Sequence, residues 1–302
     1  MEIQGIPDFL IDMLKLQYGD EISNKIIDGY KEERIVSLRV NTLKSELNEI
    51  KKVLTNNGIE YEGVPWSDIA LIIKNVSEKE LKELDIYENG EIYLQSLSSM
   101  LPPIILEPKE GRDILDMAAA PGGKTTQIAA LTNNQAHITA CEMNNIRAER
   151  LRYNILKQGA SSVYVMQKDS RILDDFFSFD QVLLDAPCSG SGTLQVSKLN
   201  FNENFTKKLI DKSIKSQVTL LQKALKILKK GETMVYSTCS ILSSENEDVV
   251  NKVLSKFNCE VVPIEFDGMS ELPLLPTQIP GTLCVCPNKY YEGFFIAKIR
   301  KI

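Results

Sequence analysis

Asp116-Met-Ala-Ala-Ala-Pro-Gly-Gly-Lys124 decides the fold of this chain. It follows the apolar pair Ile114-Leu115 and leads into Thr125-Thr-Gln-Ile-Ala-Ala130, so Pro121-Gly-Gly123 reads as a tight turn between a strand and a helix. Glycines there let the backbone approach a ligand, and the helix N-terminus behind them favours an anionic group. In an open parallel sheet, such a turn is where a nucleoside-type cofactor sits. Gly123-Lys124-Thr125 also matches the end of a triphosphate-binding loop, and Val182-Leu-Leu-Asp185 resembles the magnesium strand of that class. That pattern requires glycine at position 118, where this chain has Ala118.

Outward from the turn, the chain alternates. Strands are expected near Asp113–Met117, Ala136–Glu142, Ser162–Met166, Gln181–Asp185 and Glu232–Ser237, with helices beginning near Gly123, Asn144, Asn204 and Ser243. The near-continuous apolar strands predict a parallel sheet covered on both faces, with ligands at its carboxyl ends. Thr282–Val285 and Gly293–Ile299 read as an antiparallel edge pair. Upstream, two short helices broken at Gly19 precede a strand at Ile35–Val40, a helix at Glu46–Asn56, a strand at Ile69–Ile73 and another at Gly90–Gln95. Ser77-Glu-Lys-Glu80 fits a capping box. This is a small α/β unit, closed by the punctuation of Pro102-Pro103 and Pro108, and the expected division is 1–107 and 108–302.

Later strands each end on an acid: Glu142, Asp169 and Asp185. Any one of them fits a helix cap. Together beside a glycine turn, they suit a ribose and an adenine amine, and the nicotinamide fingerprint G-x-G-x-x-G is absent, so S-adenosylmethionine is the expected cofactor. Asp185-Ala-Pro-Cys188 and Ser237-Thr-Cys239 each place a thiol just past a strand. Either cysteine alone reads as an inert buried thiol. As a pair they match what methylation of cytosine carbon 5 requires, because a thiolate adds to ring carbon 6 while an acid serves ring nitrogen 3. Carbon 5 then takes the methyl group.

Composition narrows the alternatives. The 302 residues are 43% hydrophobic, and neither a cleavable leader nor a run long enough to span a membrane is recognisable, so a cytoplasmic protein is expected. Six cysteines in such a setting are expected to be free. The single histidine, His137, leaves little room for an imidazole base, Cys284-Val-Cys286 is too short a spacing for a zinc pair, and no metal is expected. A net charge of −6 argues against sequence-blind nucleic-acid binding, yet eight lysines face only Asp211 between Phe205 and Lys230. That segment is either a solvated helix face or a track for phosphates.

The chain closely resembles the Nop2/Sun family of RNA cytosine-5 methyltransferases. The resemblance is carried by Arg39-Val-Asn-Thr-Leu-Lys44, Gly90–Met100, Asp116–Thr125, Asp185-Ala-Pro-Cys-Ser-Gly-Ser-Gly-Thr193, Tyr236–Ile241 with Glu245-Asn-Glu247, and Gly293–Ala297. It implies an α/β fold: a Rossmann-like S-adenosylmethionine-dependent methyltransferase domain, its mostly parallel sheet ending in an antiparallel C-terminal edge, preceded by a small α/β domain that positions RNA. It also implies Cys239 as the attacking nucleophile, Cys188 as the thiol that assists release, and Asp185 on the cytosine. Cofactor contacts map onto Ala118, Ala119, Ala120, Pro121, Gly122, Gly123 and Lys124 with Glu142, Asp169 and Asp185, and Arg147 is expected to support them. The implied partner is RNA, ribosomal ahead of transfer RNA, handled by a monomer. A catalytically silent ribosome-assembly factor on the same fold is the alternative. The chain departs from the family's usual cysteine at Ala118 and lacks a histidine before Gly293-Phe-Phe295. Neither change removes a group the chemistry needs.

Overall fold

The computed structural model describes residues 5–196 and 205–302. Helix α1 (Asp8–Lys31) opens the chain and is kinked at Gly19, whose φ of 76° and ψ of 174° interrupt the helical path. Strands β1 (Ser37–Val40), β2 (Tyr61–Val64), β3 (Ser67–Ile73) and β4 (Ile92–Leu94) form an antiparallel sheet in the order β2-β3-β1-β4. The helices α2 (Leu47–Asn56), α3 (Glu78–Lys82) and α4 (Asp85–Glu88) lie between these strands in sequence, and Leu38, Ile50, Leu54, Leu71, Leu81 and Ile86 build the unit's core. Ser77 caps α3 through the expected reciprocal bonds with Glu80. β2, with Glu62 and Gly63 exposed and only Val64 buried, shows no apolar run in the sequence.

The proline pair does not punctuate. Pro102 and Pro103 lie inside α5 (Leu97–Leu106), which packs against the larger sheet. Each proline removes one helical N–H, and Pro103 deprives the Ser99 carbonyl of its donor. Gln95 Nε2 donates to that carbonyl at 3.1 Å, so the helix continues at little cost.

The larger sheet has nine strands. β5 (Asp113–Asp116), β6 (His137–Cys141), β7 (Val163–Met166), β8 (Phe179–Asp185) and β9 (Leu228–Thr238) are parallel, in the spatial order β9-β8-β5-β6-β7. Beyond β9 the sheet turns antiparallel through β13 (Phe294–Lys301), which pairs with β10 (Cys259–Val262) and β12 (Leu283–Val285), and β12 pairs with β11 (Leu274–Leu275). Val182, Leu183 and Leu184 of β8 are wholly buried, as a strand covered on both faces must be. Helices α6 (Gly123–Leu131), α7 (Asn145–Gln158), α8 (Lys207–Ile227) and α9 (Glu247–Leu254) complete the fold. The helix expected from Asn204 begins at Lys207 within the described residues, and Asn204 itself lies outside them. Lys229 and Lys230, read with the lysine-rich helix, belong to β9 instead.

Chain order places the switch point. After β5 the chain runs to β6 and β7 on one side, then returns to β8 and β9 on the other, so the carboxyl ends of β5 and β8 border the crevice where ligands bind.

Candidate active site

Asp116 ends β5 and Asp185 ends β8. Between them stands Lys124, in the first turn of α6, whose Nζ donates to Asp185 Oδ2 at 2.7 Å and to Ser99 Oγ at 2.8 Å. The parallel register sets Ser237 beside Asp185, and its hydroxyl donates to Oδ1 at 2.8 Å. Burial lowers the Lys124 pKa, but Asp185, Asp116 and Cys239 outweigh it and the net shift is upward, so the ammonium stays charged. Asp116 is 1% exposed, and burial pushes its pKa up to about 6 although Thr125 Oγ1 donates to it at 2.7 Å.

The glycine turn behaves as its sequence suggests. Gly122 caps α6 at φ 112°, a conformation that side chains rarely tolerate. A Cβ on Gly123 would stand 3.0 Å from the Tyr93 ring, in a cavity of about 330 Å³ that Gly123, Lys124, Asp116, Asp185 and Cys239 line. Ala118, Ala119, Ala120 and Pro121 line it too, whereas Gly122 acts through the turn and not on the cavity wall. Glu142, Asp169 and Arg147 face a separate space of about 90 Å³ on the other side of Ala118. Glu142 Oε1 accepts the Asn144 N–H at 2.8 Å, and Arg147 Nη2 lies 3.4 Å from Oε2 while donating to the Ala120 carbonyl at 2.9 Å. Arg147 thus braces the turn. Asp169 is engaged by Arg171, whose Nη2 donates at 2.7 Å and holds the carboxyl below its usual range.

The two thiols meet. Cys188 Sγ and Cys239 Sγ lie 3.0 Å apart in hydrogen-bond contact, and all six cysteines are free. The bond to Cys239, and then burial, raise the Cys188 pKa well above an ordinary thiol's, so Cys188 keeps its proton. Cys239 is the partner beside the Lys124 ammonium.

Groups without an assigned role in the sequence hold this pair. Glu245, wholly buried, accepts from Ser189 N at 2.7 Å and from Ser240 Oγ at 2.7 Å, gripping the residue after each thiol. From α1, Tyr30 Oη donates to the Ser191 carbonyl at 2.6 Å and Tyr18 Oη to the Ile241 carbonyl at 2.7 Å. Gly192 N donates to the Cys239 carbonyl at 3.0 Å; a Cβ there would fall 2.0 Å from the Gly293 carbonyl oxygen, so the approach admits only glycine. Glu245-Asn-Glu247 had been singled out as a motif; Tyr18 and Tyr30 carried no local signal. His137 sits exposed at the start of β6, 3.4 Å from Asp113 and away from these groups. Among the described residues there is no cluster of metal-ligating side chains and no helix long and apolar enough to cross a membrane.

A parallel-cored sheet with a glycine turn after its first strand and acids after the following ones is the Rossmann-like methyltransferase fold. Residues 103–300 match the 16S rRNA methyltransferase RsmB/F family and residues 6–78 its ferredoxin-like domain. The chain belongs to the RsmB/F family. It is 36% identical over 276 residues to ribosomal RNA small subunit methyltransferase F of Shewanella piezotolerans, covering 88% of this chain and 57% of that protein. For the same protein of Shewanella halifaxensis the figures are 35% over 313 residues, 97% and 64%. The chain therefore spans only part of these curated relatives. Among solved structures it resembles a methyltransferase homolog protein from Pyrococcus horikoshii, with a TM-score of 0.85 at 32% identity, covering 99% of this chain and 96% of that one. NSun6 from Pyrococcus horikoshii with SFG, an S-adenosylmethionine analogue, gives 0.88 at 26% identity, covering 99% of each. S-adenosylmethionine is the cofactor of this family. The cavities on either side of Ala118 fit it, with a buried carboxylate at one end and the open Gly123 face at the other.

Proposed function

We propose that this chain methylates carbon 5 of a cytosine in structured RNA, small-subunit ribosomal RNA ahead of transfer RNA, with residues 108–302 carrying the chemistry and 1–107 positioning the RNA. The observation that carries the reading is the contact of Cys188 with Cys239 at 3.0 Å, in the same cleft as the Lys124–Asp185 pair. Cys239 adds as a thiolate to carbon 6 of an extruded cytosine while a proton taken from solvent is shared between Asp185 and ring nitrogen 3, and the electrons of the carbon 5–carbon 6 double bond move to carbon 5. Bound S-adenosylmethionine supplies the methyl group as an electrophile. Loss of the carbon 5 proton to a base then re-forms the double bond, breaks the Cys239–carbon 6 bond and returns the thiolate. Cys188, which keeps its proton at rest, is the side chain against Cys239 when the product leaves. Glu142 and Asp169 face the nucleoside end of the cofactor, and the glycine turn its methionine end.

The test uses two variants and RNA from cells lacking the gene. Cys188→Ala is expected to accumulate a protein–RNA adduct that survives a denaturing gel. Cys239→Ala is expected to give neither adduct nor methylation. Full methylation by the second variant would overturn the assignment, and a folded wild type without methylation would favour an RNA-binding scaffold.

A further inference from the structure

Beside the catalytic cavity lies a second one, of about 410 Å³. The two share Leu94, Gln95, Ser96, Thr193 and Glu292, so each continues the other. Arg34 lines only the second. Its Nε and Nη1 are buried with no hydrogen-bond partner among the described residues, and its Nη2 reaches the Gly192 carbonyl only at 3.5 Å. A guanidinium with two buried donors unspent is costly unless something arrives to accept from them.

The walls say what that is. Glu33, Glu78 and Glu292 also line this space, and Arg34 is the only basic residue on it among the described residues, so a phosphate would meet three carboxylates for one cation there. A neutral nucleobase offers acceptors to Arg34 and donors to the carboxylates. Tyr290, on the same wall, carries Lys289 at 4.7 Å over its ring, a cation suited to the phosphodiester that such a base would bring. The geometry points to a second nucleobase subsite, in which the base adjoining the target cytosine leaves its stack and accepts hydrogen bonds from Arg34. This rests on the RNA cytosine reading and adds a specificity-determining residue to it.

The experiment uses an RNA oligonucleotide spanning the cytosine that the wild type methylates in total RNA from cells lacking the gene. Arg34→Ala is expected to raise the KM for RNA about tenfold with kcat within threefold, the loss of hydrogen bonds to a charged donor, while S-adenosylmethionine binding is unchanged. Removing the base, but not the phosphate, on one side of the cytosine should cost the wild type a similar factor and cost Arg34→Ala nothing further. Should both abasic substrates behave like the intact RNA, or should the two losses multiply in full, the subsite is wrong. If Arg34→Ala fails to fold, seen as lost S-adenosylmethionine binding, the abasic substrates with wild type decide alone. A wild type that methylates no cytosine overturns the parent reading, and an active wild type with an indifferent Arg34→Ala overturns only this one.

Discussion

Lys124 Nζ and Asp185 Oδ2 lie 2.7 Å apart, tying the helix that follows the glycine turn to the end of the strand that leads to Cys188. Both side chains are largely withdrawn from water, at 14% and 27% exposure, so the pair is weakly screened. Lys124→Met leaves Asp185 and Asp116 without their cation. Methyl transfer at saturating RNA is expected to fall by about 100-fold or more. A steady-state assay showing less than a threefold change would remove Lys124 from the reaction.

Asp116 makes stability depend on pH with an unusual sign. Its folded pKa of about 6 lies above the ordinary carboxylate value near 4, so between these the folded state binds more protons than the unfolded chain. Stability is therefore lost as pH rises from about 4 to 6, by up to about 3 kcal/mol, and the cost stays constant above that. Asp116→Asn removes it. Melting curves should place the variant's Tm, relative to wild type, several degrees higher at pH 8 than at pH 4.5. A difference independent of pH would show that Asp116 is ionised throughout.

Glu245 joins the two cysteine loops by gripping Ser189 and Ser240. Glu245→Ala strands buried donors at both, at a cost of about 3 kcal/mol or more, while Glu245→Gln keeps one acceptor and should lose less. Denaturant unfolding measures that order. Adduct yield in the Cys188→Ala background should fall with Glu245→Ala even at temperatures where the protein remains folded.

The lysine-rich segment divides in two. Lys223 and Lys226 contact Asp175, and Lys229 contacts Asp180, so these charges are already spent within the fold. Lys208, Lys212 and Lys215 stand exposed on the first half of α8, with no ion pair among the described residues, and Ser216 and Leu220 of the same helix line the Glu142 cavity. Replacing these three by glutamate should weaken RNA binding and flatten the plot of log affinity against log salt by about 2. Lys226→Glu should leave that slope nearly unchanged. Filter binding across a salt series separates the two outcomes.

Local rules worked where local physics dominates. The parallel strands, the turn at Gly122-Gly123 and the helices that begin near Gly123 and Asn144 follow from apolar runs, backbone sterics and chain order and appear where the residues placed them, whereas the helix expected near Ser243 begins at Glu247 after a 3-10 turn. The proline pair failed as punctuation, and the carbonyl that Pro103 leaves unpaired, that of Ser99, is compensated by Gln95, a side chain outside α5. Short strands such as β2 and β11, of four and two residues, are too brief for an alternating apolar pattern to show, and periodicity does not register them.

By itself, the order of residues determined that two thiols, an acid and a glycine turn would gather at the carboxyl ends of one parallel sheet, because strand direction and right-handed crossovers leave them little choice. Only the tertiary structure decided that Cys188 keeps its proton, since that depends on its contact with Cys239 and on burial rather than on motif. It alone also bolted α1 to the cysteine loops through Tyr18 and Tyr30 and set Arg34, two of its donors without a partner among the described residues, in the wall of a cavity. Hydrogen bonds across more than a hundred residues are set by packing, and packing has no local signature in a chain.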